Sequence, residues 1–129
     1  MKATKRSQYA LRAVIFLARE KGKVCSVRLV SEKENISFDY LEKVFSKLEK
    51  EGLVVSKKGA TGGYVLAKSP SQISLKDVFN ATEEPVAVVE CILHRCPRDS
   101  SCRATRAWKK VNKKLEKTFR EIKIKDLID

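Results

Sequence analysis

The chain has 129 residues and a formal net charge of +12, with 28 lysines and arginines against 16 aspartates and glutamates. That length makes one domain, or one domain with an appendage, and holds a core without cross-links. The cationic balance favours polyanions, nucleic acid first, and no apolar run approaches the length of a membrane span.

Residues 7–21 place Ala10, Ala13, Val14, Leu17 and Ala18 on one helical face, and Gly22 supplies a stop. Arg19, Glu20 and Lys21 follow the short apolar run directly where a secretory signal would need a small-residue cleavage site, so a cytoplasmic location is expected. Thiols stay reduced in that compartment, and the four cysteines read as metal ligands or redox groups. Ser26 can cap a second helix over Val27 to Glu34, broken at Asn35.

A third helix follows Ile36, with Leu41, Val44, Phe45 and Leu48 on one side and a polar, net basic opposite side; Gly52 ends it. Two helices joined by so short a turn fit a helix-turn-helix. Leu53 to Ser56 reads as a strand, Lys57 to Gly63 as a tight basic turn and Tyr64 to Leu66 as the returning strand. The expected fold is therefore mainly α with a small β wing, a winged helix-turn-helix.

Gly59, Gly62 and Gly63 do not form a phosphate-binding loop, because no Gly-Lys-Ser/Thr follows and the segment joins two strands. They are expected to supply positive φ and to let backbone amides approach a DNA phosphate, with Lys57 and Lys58 adding charge. Ser37, Phe38, Asp39, Tyr40, Glu42 and Lys43 start the recognition helix, where side chains reach base edges; Lys47 is assigned to a phosphate.

Ser74 can cap a helix from Leu75 to about Thr82. From Arg103 to Lys125 the chain is heavily basic, yet Ala104, Trp108, Val111, Leu115, Phe119 and Ile122 recur at helical spacing. This predicts a long C-terminal dimerisation helix, with Trp108, Val111, Leu115, Phe119 and Ile122 as the interface of a homodimer. The tail from Ile124 is expected to fold back as a further turn. The division is then 1–82 for DNA binding, 83–102 for a cysteine-rich loop, and 103–129 for the long helix and tail.

Cys91, Cys96 and Cys102 fall within twelve residues, separated by four and then five, with His94 between the first two. Thiolates at this density suit an iron-sulfur cluster or another soft-metal centre. A structural Cys3His zinc site in a basic nucleic-acid-binding protein and a cluster-free thiol redox switch are the alternatives. Cys25, distant in sequence, reads as a small buried residue. With one histidine and no nucleophile-base pair or paired carboxylates, the protein is not expected to be an enzyme.

The segments Ser7 to Ala13, Ile36 to Phe45 and Gly59 to Leu66, with the three-cysteine loop leading into Trp108, resemble the IscR/NsrR family of bacterial transcriptional regulators. The resemblance covers nearly the whole chain. It implies a dimeric winged-helix protein and a 2Fe-2S or 4Fe-4S cluster that alters binding to a pseudo-palindromic double-stranded operator, sensing iron, redox state or nitric oxide. It points to Glu42 as a base reader. Thr105 and Gln8 stand where two branches of the family carry a fourth cluster ligand. His94, Gln8, Thr105, water, a small thiol, Glu90 and Asp99 therefore all compete for the fourth position.

Overall fold

The computed structural model describes residues 2–89 and 103–128. Helix α1 spans Lys5–Arg19, capped by the Thr4 hydroxyl, which accepts from Ser7 N at 3.2 Å. Helix α2, Val27–Glu34, begins at Ser26, whose Oγ accepts from Leu29 N at 3.0 Å, and ends where Asn35 turns left-handed at φ 54°. Helix α3, Phe38–Lys50, starts at the Ser37 cap and stops before Gly52, which adopts φ 77°. Each boundary is set by a side chain that satisfies a free helix amide, or by a residue that tolerates positive φ.

Strands β1, Val54–Lys57, and β2, Gly63–Leu66, pair antiparallel with Val54 opposite Leu66 and Lys57 opposite Gly63. Cys25 adds a single bridge to Tyr64, its N–H donating to Tyr64 O at 3.0 Å and its carbonyl accepting from Tyr64 N at 2.8 Å. Helix α4, Leu75–Ala81, carries a reciprocal cap between Ser74 and Asp77, and the long α5 covers Arg103–Glu121.

The core unites Ala10, Ala13, Val14 and Leu17 of α1 with Val30 of α2 and Leu41, Val44, Phe45 and Leu48 of α3. Ile73, Val78 and Ala81 close it from α4 and its approach. The tail turns back as expected, through a 3-10 turn over Ile124–Leu127. Ile124 N–H donates to Ile73 O and Leu75 N–H to Ile122 O, both at 2.9 Å, so fully buried Ile124 belongs to the same core.

Helix α5 docks on α4 through Phe119, whose ring meets Phe79 edge-on at 5.0 Å, and through Lys76 and Glu116 at 3.8 Å. Nearer its start, Asn112 is buried: its amide donates to Val86 O at 3.0 Å and its carbonyl accepts from Val88 N at 2.8 Å. The expected apolar stripe therefore divides. Phe119 and Ile122 are partly covered by the chain's own body, Leu115 is half-buried, and Trp108 and Val111 stand 39% and 47% exposed.

Candidate nucleic-acid interface

Burying Leu41, Val44, Phe45 and Leu48 turns the opposite face of α3 to solvent, and Phe38, Asp39, Tyr40, Glu42 and Lys43 all lie exposed on it beside the Ser37 cap. Two aromatic rings there are braced by neighbouring elements. The Arg28 guanidinium of α2 lies 5.2 Å from the centre of the Phe38 ring, and Tyr9 of α1 meets Tyr40 edge-on at 5.4 Å. Arg12 reaches the Tyr9 ring at 5.9 Å while its Nε donates to Glu34 at 3.1 Å.

Tyr9, Arg12 and Arg28 thus extend the exposed cationic and aromatic surface beyond what the sequence reading assigned. Their signal was weak, because an arginine on a solvent face has many uses and only tertiary placement sets it over a ring.

The wing is held to α3 twice. Tyr64 stacks on Phe45 with ring centres 4.6 Å apart, and Ser56 N–H donates to the Glu49 carboxylate at 3.2 Å. Burial foremost, then the Glu49 and Glu42 carboxylates, push the Tyr64 phenol above its ordinary pKa and keep it neutral.

At the tip Lys57, Lys58 and Gly59 are exposed, and Gly59 alone of the three wing glycines has positive φ, at 123°. This corrects the expectation for the other two. A Cβ on Gly62 would press on the carbonyls of Lys57 and Gly59, and one on Gly63 would collide with the carbonyl of Cys25. Their small size serves close approach within the chain itself.

Lys47, assigned to a phosphate from sequence, is half-buried, with its Nζ 3.5 Å from the Glu83 carboxylate. The neighbouring Glu84 accepts from the backbone N–H and hydroxyl of Thr4, at 3.1 and 2.8 Å, and from the Ser7 hydroxyl. Ser7 also meets Thr82 at 2.6 Å, both fully buried, which ties the start of α1 to the end of α4.

Cys91, His94, Cys96 and Cys102 lie outside the described residues, as do Glu90 and Asp99. Among the described residues no group of three His, Cys, Asp or Glu side chains could hold a metal. Of the other fourth-ligand candidates, Thr105 is buried at 2% exposure in the first turn of α5, whereas Gln8 is exposed and its amide donates to Ala3 O at 2.9 Å. Cys25 is buried as expected, and its desolvation, followed by the Glu20 charge, raises its pKa. Among the described residues no helix is long and apolar enough to cross a membrane.

With the outer face of α3 open beside a lysine-tipped hairpin, the fold is a winged helix-turn-helix, and the molecule is of the DNA-binding class. The Rrf2 model, described as an iron-dependent transcriptional regulator, matches residues 3–129, and the chain belongs to that family. It is a transcriptional regulator and not an enzyme.

The chain is 33% identical over 132 residues to the HTH-type transcriptional regulator IscR of Cronobacter sakazakii, covering 100% of this chain and 81% of that protein. The structure of CymR, the global cysteine regulator of B. subtilis, superposes with a TM-score of 0.82 at 29% identity, covering 98% of this chain and 95% of that one. The T. potens IscR structure superposes with a TM-score of 0.77 at 29% identity, covering 98% of this chain and 85% of that one.

Proposed function

We propose that the protein is a homodimer that binds a pseudo-palindromic operator and that an iron-sulfur cluster on Cys91, Cys96 and Cys102 changes that binding. The observation that carries the dimer is the outward apolar face of α5 at Trp108 and Val111, large side chains left open on an otherwise charged helix. A second copy related by a twofold axis would cover it and pair two α3 helices across neighbouring major grooves. Ser37, Phe38, Asp39, Tyr40, Glu42 and Lys43 would then face base edges, with Glu42 able to accept from a cytosine amino group. Lys57, Lys58 and the amides at Gly59 would meet phosphates.

The donor set fits a cluster: three thiols close in sequence suit iron bound to sulfide, and His94, buried Thr105 or a partner's Gln8 would supply a fourth donor. A bound cluster would supply electron exchange and an iron site open to small oxidants. This chain's own residues give such a change somewhere to go. Asn112 fixes the backbone at Val86 and Val88 to α5, while Glu84 in the same connection holds the start of α1. Any preference of the cluster for one arrangement of that connection would bias the spacing of the two reading helices.

A second reading, a cluster-free thiol regulator, is favoured by one observation. The chain matches CymR, a cysteine regulator, over nearly the full length of both proteins. Anaerobic purification with absorption spectroscopy and iron, sulfide and zinc analysis separates the possibilities. Coloured protein with iron and sulfide, lost in Cys91→Ala, supports the cluster. Stoichiometric zinc supports the structural-zinc alternative, and colourless, metal-free protein whose DNA affinity follows thiol oxidation supports the thiol switch.

A further inference from the structure

Between the start of α1 and the exposed flank of α3 lies a notch of about 230 Å³ lined by Thr4, Lys5, Arg6, Tyr40, Lys43, Val44 and Lys47. Four basic residues from two elements line it. Among the described residues Lys5, Arg6 and Lys43 have no carboxylate partner. The fourth, Lys47, does, and its partner Glu83 comes from the turn after α4. Glu83 sits at φ 61°, in left-handed backbone that a non-glycine residue adopts only when its surroundings hold it there. The pair is long, at 3.5 Å, and the Glu83 side chain is 69% exposed, so this carboxylate is a loosely held anion on one of the basic residues that line the notch.

We propose that the notch seats a DNA backbone phosphate beside the major-groove contact, and that Glu83 is its built-in competitor, holding Lys47 until the duplex displaces it. The proposal rests on the DNA-binding reading of α3, whose outer face adjoins the notch through Tyr40 and Lys43. A DNA phosphodiester carries the same single charge as the Glu83 carboxylate and, like it, presents two non-bridging oxygens to nearby cations. Both anions cannot sit on Lys47 together without repulsion. At the head of α1 the Thr4 and Ser7 amides are already taken, by Glu84 and the Thr4 hydroxyl. The seat consists of side-chain cations, and its strength is therefore strongly salt-dependent.

The test uses full-length protein and a fluorescent mixed-sequence duplex long enough for two half-sites, titrated over a salt series. Glu83→Gln frees Lys47 while nearly preserving shape. It should tighten binding about threefold to tenfold with little change in the log–log salt slope, because Lys47 reaches the phosphate in both proteins. Lys5→Ala and Arg6→Ala should each weaken binding and flatten the slope, by no more than about 0.9 together, the increment for one phosphate neutralised. In a Lys47→Ala background, Glu83→Gln should gain nothing. Unchanged affinity in Glu83→Gln, or a gain that persists without Lys47, overturns the competitor. Wild-type protein that binds no duplex refutes the regulator reading and the seat together, whereas normal wild-type binding with unaffected variants removes only the seat.

Discussion

The rings of Phe45 and Tyr64 lie 9° from parallel with centres 4.6 Å apart, one from the reading helix and the other from the wing. Phe45 is fully buried, so this stack fixes the hairpin against the underside of α3 and sets how far Lys58 stands from Lys43. Phe45→Ala should lower unfolding free energy by about 3–5 kcal/mol, the cost of truncating a buried aromatic. Urea titration at neutral pH measures it, and a loss below about 1 kcal/mol would show that the stack does not hold the wing.

Gly63→Ala should be among the most damaging conservative changes in the wing. The added methyl meets the Cys25 carbonyl, so the bridge between Cys25 and Tyr64 must open. An expected loss of about 1–3 kcal/mol follows from overpacking against backbone. Gly59→Ala meets no neighbour but strains a turn at φ 123°, and it should cost less. Thermal melts of the two variants give the order, and the reverse order would count against the close approach at Gly63.

The Cys25 thiol has its pKa raised in the folded state by burial, so folding favours the protonated form. Its contribution to stability is complete below the ordinary thiol pKa and is lost as pH rises through the higher folded value. The difference in unfolding free energy between wild type and Cys25→Ala should shrink on the alkaline side. Alkylation of Cys25 in a protein whose other cysteines are replaced should be slow until urea unfolds it. A fast reaction with folded protein would contradict the burial.

Val111→Asp places a charge in the middle of the exposed face of α5 without touching the chain's own core. The variant should retain its helix content but sediment as a monomer. Its affinity for a two-half-site duplex should fall by more than about tenfold, because the second half-site is no longer tethered to the first. A dimer that survives this change would remove α5 from the interface.

Local chemistry made much of the fold legible. Ser26, Ser74, Asn35 and Gly52 act where their side chains or permitted φ angles predict, because a cap depends on residues three or four positions away. The solvent-exposed face of α3 was equally plain from its apolar spacing.

What stayed hidden depends on distance in the chain. Glu84 reaches Thr4 and Ser7, and Gly63 answers to Cys25, across separations over which no pattern operates. Periodicity in α5 found the apolar stripe but not the side that meets the body. Part of that side is polar, with Thr105 and Asn112 buried while Trp108 faces out.

Asn112 grips the connection at two points, Val86 and Val88, and so allows it only one register along α5. A single-point tether would let the helix turn about its axis and leave the connection behind. With two, a roll of α5 drags residues 86–88 like a gear tooth and pulls on the paired carboxylates just upstream. Torque applied at the far end of the long helix would reach the DNA face without any domain having to slide.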